Sequence, residues 1–135
     1  MKNKKTVKNL IFLANGDLKT AEDELKTKNA VTNTVCFHTQ QCVEKYLKAY
    51  LSLVGHPFGK THDIAELIEL CKRYDKEFEK LYQLNAHRLT RYAVEVRYPD
   101  EFYIPSVKEA KESIEIAENV KKFISEKIEK QGFNL

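Results

Sequence analysis

Apolar residues recur at steps of three and four along most of the chain, which is the spacing of one face of an α-helix. The first such stripe predicts a helix over about residues 5–27, with Gly16 in its middle. Its apolar members are Val7, Leu10, Ile11, Ala14, Leu18, Ala21 and Leu25. A second helix is predicted over about residues 30–54, with Gly55 as its C-terminal cap. No segment shows the alternation of a β-strand.

Capping patterns predict where two later helices begin. Asp63 is expected to begin a third helix, with Glu66 in the position of a capping box. Ser106 and Glu109 make the same pattern before the last helix. A near-heptad apolar seam then continues towards the C-terminus.

Between these two helices, a further helix is predicted over about residues 75–95, either continuous with the third or broken near residues 74–75. The chain has 135 residues with only four glycines and three prolines, so long helices are favoured. We expect one domain over residues 1–135, an all-α, antiparallel up-and-down bundle of four to five helices.

The composition is that of an ordinary globular protein, with 42% hydrophobic residues, 32% charged residues and a net charge of +3. That charge is a mild preference for anions, far below that of a surface built to coat DNA. The apolar run near the N-terminus is too short for a signal peptide or a membrane span. Three cysteines without a CxxC pair indicate reduced thiols, so we expect a cytoplasmic protein without membrane contact.

The second predicted helix carries one narrow polar stripe on an otherwise apolar circumference. Within it, His38, Gln41, Lys45 and Lys48 follow one another at steps of three, four and three. The plain interpretation is the solvent face that every bundle helix needs. The alternative is one wall of a site for an anion such as phosphate. His and Gln both donate and accept hydrogen bonds, and the stripe contains no carboxylate to neutralise its lysines.

Two further histidine positions bear on this row. His38 shares a face with Cys42, but two ligands without a third or fourth do not make a zinc site. His62 is expected to be a helix-start residue or a neighbour of the site. We therefore predict no metal and no cofactor.

A second constellation lies in the segment RLTRYAVEVRYPDEFY, residues 88–103. Its candidate phosphate-facing residues are Arg91, Arg97 and Tyr98, because arginine forks and aromatic faces suit phosphates and bases. The competing interpretation is a tyrosine-rich corner between helices, in which the arginines pair with nearby carboxylates.

Four segments, in this order, resemble the HEPN family of nucleotide-binding domains from higher eukaryotes and prokaryotes: CFHTQQCVEKYLKAYL, KTHDIAELIELC, VRYPDE and SVKEAKESIEIAENV. The resemblance covers about residues 7–128. It implies a helical bundle that is usually dimeric. It also implies a link to paired prokaryotic systems of toxin–antitoxin type, in which small HEPN proteins are often partners of minimal nucleotidyltransferases.

Other branches of this family are metal-independent ribonucleases that carry Arg, four to six residues, then His. The present sequence departs from that pattern, because Arg97, separated from Arg91 by five residues, stands at the place of the histidine. Cleavage of RNA through attack by its own 2′-hydroxyl needs a side chain that takes and gives a proton near pH 7, and arginine cannot do this. The resemblance therefore favours binding over cleavage, unless His38 or His62 substitutes in space.

Three functions stay open at this point. The first is a homodimeric binding module for a nucleotide, an RNA end or a nucleotidyltransferase, as the non-catalytic subunit of a two-component system. The second is a toxin-like ribonuclease with a non-standard catalytic set. The third is a helical dimer that only binds proteins, with the polar row as plain surface.

Overall fold

The computed structural model describes residues 3–93 and 103–135. These described residues form five α-helices: α1 (Lys4–Leu25), α2 (Thr32–Val54), α3 (Ile64–Lys72), α4 (Lys80–Gln83) and α5 (Val107–Lys130). Two 3₁₀ segments, Lys76–Glu79 and Ala86–Tyr92, flank α4. These residues include no β-strand, so the predicted all-α class is confirmed. Within the same residues, no helix is both long and apolar enough to span a bilayer.

The central helix of the bundle is α2, and fifteen of its 23 residues are buried. It packs against α1, α3, α5 and the 3₁₀ segment Ala86–Tyr92. A helix in contact with neighbours on several sides has to be apolar around most of its circumference. The large buried side chains Tyr46, Leu47 and Tyr50 meet this requirement.

Helix directions can be followed from the side chains that meet between elements. Along α1 and its N-cap, later residues contact earlier residues of α2, in the pairs Asn3–Ser52, Asn15–Tyr46 and Asp17–His38. The same reversed order holds between residues 75–92 and α5, in the pairs Asp75–Lys127, Phe78–Phe123 and Tyr92–Glu109. Opposite order means antiparallel packing. The predicted up-and-down bundle is therefore confirmed.

Two predicted helix ends are set by local sequence. Gly55 adopts the left-handed conformation, with φ 77°, and caps the C-terminus of α2. Ser106 and Glu109 form both hydrogen bonds of the predicted capping box at the start of α5. These ends depend on residues close together in the chain, which is why sequence patterns locate them.

The start of α3 is only partly as expected. The Asp63 side chain accepts hydrogen bonds from the backbone N–H groups of Ala65 and Glu66, so it is the N-cap. The reciprocal half of the capping box is absent, because the Glu66 side chain accepts from Thr61 Oγ1 and the Asp63 N–H donates to that same hydroxyl oxygen. Thr61 takes the place that Glu66 was expected to fill.

The prediction of one continuous helix over residues 75–95 is wrong for the residues that the structure describes. Of the two connections to α3 that were left open, the break near residues 74–75 is the one that occurs: Asp75 is extended, with φ −154°, and its side chain caps the next turn. A second break occurs at Asn85, which is left-handed with φ 63° and separates α4 from the following 3₁₀ segment. Asn tolerates this conformation better than most residues, which gives the break its physical reason.

Candidate functional site

The polar row of α2 is largely covered by neighbouring elements. The side chains of His38, Lys45 and Lys48 are 27%, 22% and 11% exposed, and Gln41 is also partly buried. Lysines on the free face of a bundle helix stay mostly in water. The row is therefore not an ordinary solvent face, and its charges need partners inside the fold.

Helix α1 supplies the first partner, Asp17, whose side chain is 12% exposed. Asp17 Oδ1 lies 2.8 Å from His38 Nδ1, and Asp17 Oδ2 accepts a hydrogen bond from Lys45 Nζ at 2.5 Å. A carboxylate only accepts, so the His38 proton lies on Nδ1 in this contact. Nε2 is the ring nitrogen that remains for another molecule.

The second partner is Glu44 of α2 itself, whose side chain is 5% exposed. It accepts hydrogen bonds from Gln40 Nε2 at 3.0 Å, Lys48 Nζ at 2.9 Å and His62 Nδ1 at 2.8 Å. Gln41 joins this cluster indirectly, because its Nε2 donates to Gln40 Oε1 at 2.7 Å. The row and His62 thus belong to two clusters, each centred on a carboxylate.

The charge of Glu44 is maintained by these donors. Burial alone raises the pKa of Glu44, because removal from water disfavours the charged form. Hydrogen bonds from Gln40, Lys48 and His62 outweigh burial and hold the pKa below its ordinary value of 4.5. Glu44 is therefore ionised at neutral pH and neutralises Lys48.

The stripe itself contains no carboxylate, but carboxylates outside it neutralise both of its lysines, so its preference for an external anion is weaker than the sequence indicates. Lys45 is bonded to Asp17, and Lys48 is bonded to Glu44. Two signals could have identified these carboxylates. Asp17 is the neighbour of Leu18, which belongs to the apolar stripe of α1, so its side chain lies close to the buried side of that helix. Glu44 stands four residues before Lys48, which is the spacing of a helical ion pair.

Metal binding at His38 and Cys42 gains no support from the local chemistry. His38 is engaged by Asp17. Burial raises the pKa of Cys42 to about 12, and the neutral thiol is a poor ligand. Residues 3–93 and 103–135 contain no group of three His, Cys, Asp or Glu side chains suited to a metal ion.

A separate cavity of about 660 Å³ lies between the 3₁₀ segment Ala86–Tyr92 and α5. Its lining contains two arginines, two tyrosines, three glutamates and several amide side chains: Gln83, Asn85, Arg88, Arg91, Tyr92, Tyr103, Glu109, Glu112, Glu115 and Asn119. Small-molecule sites commonly have volumes of roughly 300–1,000 Å³ and a few convergent polar groups. This cavity has both features.

Glu109 organises one wall of the cavity. Its Oε2 accepts a hydrogen bond from the Tyr92 hydroxyl at 2.7 Å, and its Oε1 accepts from the Tyr103 hydroxyl. Hydrogen bonds from Tyr103 and Tyr92 hold the pKa of Glu109 below its ordinary value. A capping residue of α5 therefore also positions two aromatic rings.

The arginines of the cavity have no such anchoring among the described residues. Arg88 and Arg91 are exposed, and neither forms an ion pair within residues 3–93 and 103–135. The Arg91 guanidinium lies 6.0 Å from the Tyr92 ring centroid. The other two predicted residues of this constellation, Arg97 and Tyr98, lie outside the described residues.

The row and the cavity lie on different sides of α2. Cys36 is close to Ser113 and Tyr92, which both line the cavity. At 100° per residue, Cys36 and His38 are about 160° apart around the helix. The structure therefore places His38 and Lys45 around Asp17, and Gln41, Lys48 and His62 around Glu44. It places Arg91 in a separate region.

Fold and sequence comparison identify the class of protein. The HEPN domain profile matches residues 7–128, which is most of the chain, so the protein belongs to the HEPN domain family. A crystal structure of an archaeal HEPN homologue has a TM-score of 0.71 and 25% sequence identity, covering 90% of this chain and 97% of that chain. No curated protein matches the sequence. The resemblance found in the sequence is thus confirmed.

Proposed function

We propose that this protein is a homodimeric, non-catalytic HEPN subunit that binds a nucleotide or an RNA end and is the partner of a minimal nucleotidyltransferase. The observation that carries the proposal is the single cavity that Arg88, Arg91, Tyr92 and Tyr103 line together. Membership of the HEPN family supports a nucleotide-related role, and HEPN proteins commonly dimerise.

The lining of the cavity offers a complementary group for each part of a nucleotide. Arginine binds phosphate oxygens through two parallel hydrogen bonds, so Arg91 and Arg88 are assigned to the phosphate. Tyrosine rings accept stacked bases, and carboxylate or amide oxygens accept hydrogen bonds from ribose hydroxyls or base amino groups. Arg97 and Tyr98 belong to the same proposed site by their place in the sequence.

The row His38, Gln41, Lys45 and Lys48, with His62 beside it, is proposed as a second contact surface. Lys45 and Lys48 have to release their carboxylates before they can bind an external anion, which weakens the case for phosphate there. His62 is 58% exposed, and His38 keeps Nε2 for another molecule. These features favour hydrogen bonding to a protein partner or to bases.

Cleavage of RNA has less support than binding. A ribonuclease needs a proton-transfer group close to the arginine that holds the phosphate. No histidine is among the described residues that line the cavity. His38 and His62 are both bonded to carboxylates in the separate row.

The test is a binding titration with ATP and with a short RNA that carries a 5′-phosphate, followed by fluorescence anisotropy or calorimetry. Arg91→Ala should weaken binding roughly tenfold or more, because a charge-assisted hydrogen bond contributes about 1.5–3 kcal/mol. Arg73→Ala is the matched control, since Arg73 is exposed at the end of α3 and outside the cavity. The control should bind as the unmodified protein does.

Four results would contradict parts of this proposal. Equal affinity of Arg91→Ala and the unmodified protein would exclude the cavity. A loss in Lys45→Ala as large as that in Arg91→Ala would move the anion to the row. Metal-independent cleavage of the RNA would contradict the non-catalytic role, while a pull-down without a nucleotidyltransferase would contradict the assigned partner.

A further inference from the structure

Helix α1 exposes two large apolar side chains side by side. Phe12 is 77% exposed and Leu13 is 50% exposed, whereas Ala14 next to them is buried against the rest of the bundle. Phenylalanine is among the residues that most often lie inside a protein. Nothing in the described fold of one chain covers this pair.

Gly16 lies one helical turn after Phe12 on the same outer surface. It is exposed, and a Cβ atom added there would meet nothing within 4 Å. Glycine destabilises the interior of a helix relative to alanine, and its missing side chain allows a close approach by another group. The single chain provides no such group at Gly16.

The charges of α1 run against the helix dipole. Its first turns carry Lys4, Lys5 and Lys8, whereas its last turns carry the acidic residues Glu22, Asp23 and Glu24. Helix N-termini favour acidic side chains and C-termini favour basic ones, so this order is unfavourable within one chain. A second α1 in the opposite direction would place acidic side chains beside basic ones.

We propose that α1 packs antiparallel against α1 of a second copy of this chain, across a two-fold axis near residue 14. Positions at equal distances on either side of residue 14 then face each other: Phe12 with Gly16, Asn9 with Lys19, and Lys5 with Asp23. The Phe12 ring of each chain fills the space above Gly16 of the other. One self-complementary surface is what a two-fold interface requires.

The residues of this face are free to make these contacts. Lys5, Asn9, Phe12, Gly16 and Lys19 are all exposed and lie on one side of α1 at steps of four and three. Asp23 is also exposed and pairs with Lys19 four residues earlier. Such a surface pair contributes little to stability, so Lys5 of the second copy can join or replace it.

This inference rests only on the dimeric part of the proposed function and is independent of the ligand. The first test is sedimentation velocity of the purified protein over a range of concentrations, with the variants Phe12→Ser and Gly16→Gln. Each should raise the dimer dissociation constant at least tenfold. Gln is a better helix former than Gly, so dimer loss in Gly16→Gln would not result from an unfolded helix.

The matched control is Val107→Ser, which removes another apolar side chain, 53% exposed, from α5. It should leave the dissociation constant unchanged. A protein that is monomeric at all concentrations would overturn the inference. A dimer that is equally stable in Phe12→Ser and Gly16→Gln would overturn it as well.

A charge exchange tests the antiparallel register. Lys5→Glu and Asp23→Lys should each weaken the homodimer, because like charges then face each other at both ends of the contact. A mixture of the two variants should form a heterodimer, because the two substituted side chains then face each other with opposite charges. At the other end of the contact, the unmodified Asp23 of one chain faces the unmodified Lys5 of the other. Failure of the mixture to associate better than either variant alone would exclude this register.

The same samples separate this inference from the ligand proposal. Phe12→Ser should bind ATP or RNA with unchanged affinity per chain, since Phe12 does not line the cavity. A monomeric protein that still binds the ligand would refute the interface and leave the ligand site. A dimer that is weakened by Phe12→Ser but binds no ligand would support the interface and refute the ligand site.

Discussion

The polar row of α2 and the cavity beside α5 contain similar residue types in opposite states. In the row, Lys48 and Lys45 are largely buried and bonded to carboxylates, and Glu44 accepts hydrogen bonds from three side chains. In the cavity, Arg88 and Arg91 are exposed and form no ion pair among the described residues. Satisfied, buried charges maintain a fold, whereas exposed donors beside aromatic rings can bind a ligand.

This difference shows that a polar pattern in the sequence can indicate internal ion pairs as well as a binding site. Lys45 and Lys48 resemble anion-binding residues in the sequence, yet each contributes its charge to an internal pair in the fold. The comparison therefore predicts that substitutions in the row act first on stability. Substitutions in the cavity should act first on binding.

The largest effect on stability is expected for Glu44→Ala. This substitution leaves Lys48, which is only 11% exposed, and Gln40, which is buried, without their acceptor. Removal of one partner from a buried pair costs about 3 kcal/mol of the free energy of unfolding. Urea denaturation followed by circular dichroism measures this loss.

Glu126→Ala is the control for Glu44→Ala, because Glu126 is an exposed residue of α5. Its effect should stay within about 0.5 kcal/mol. If Glu44→Ala also stays within that range, the cluster around Glu44 does not stabilise the fold, and the contrast between row and cavity fails.

A second prediction concerns the pH dependence that Glu44 gives the protein. Its pKa in the folded state lies below the ordinary value of 4.5, so at pH values below about 4.5 the unfolded state binds more protons at this group. Its contribution is therefore present at neutral pH and is lost as the pH falls through the folded-state pKa. The variant Glu44→Gln lacks this pH-dependent contribution at every pH, because the glutamine amide does not titrate.

The measurement compares unfolding free energies of the unmodified protein and Glu44→Gln from pH 7 down to the acid transition. The advantage of the unmodified protein should be constant near neutral pH and should shrink below about 4.5. A difference that stays constant, or that grows as the pH falls, would show that Glu44 is not held ionised by its neighbours.

Sequence patterns predicted the fold wherever short-range interactions decide it. Gly55 and the Ser106–Glu109 box end or begin helices through residues that are close in the chain. The region after α3 was less predictable, because its apolar spacing fits a helix while Asn85 adopts a left-handed conformation. The conformation at Asn85 depends on tertiary packing, which outweighs the local preference for a helix.

The candidate site was less predictable, and for a different physical reason. The polar row could be recognised because its members are spaced by single helical turns. The partner of His38, however, is Asp17, which is 21 residues away and on another helix. Its position depends on how α1 and α2 rotate against each other, and a single sequence does not specify that rotation.

The smallest effect on stability is expected for Arg91→Ala, the substitution with the largest expected effect on binding. Arg91 is exposed, and its described contact is the Tyr92 ring at 6.0 Å, so the free energy of unfolding should change by no more than about 0.5 kcal/mol. Arg73→Ala is again the matched control. A loss of about 2 kcal/mol or more would support the competing interpretation, a corner in which Arg91 is a structural residue. Because the same protein sample serves for denaturation and for the ATP titration, stability and affinity can be compared directly. Unchanged stability with weakened binding is the combination that a ligand site requires and that a structural corner does not produce.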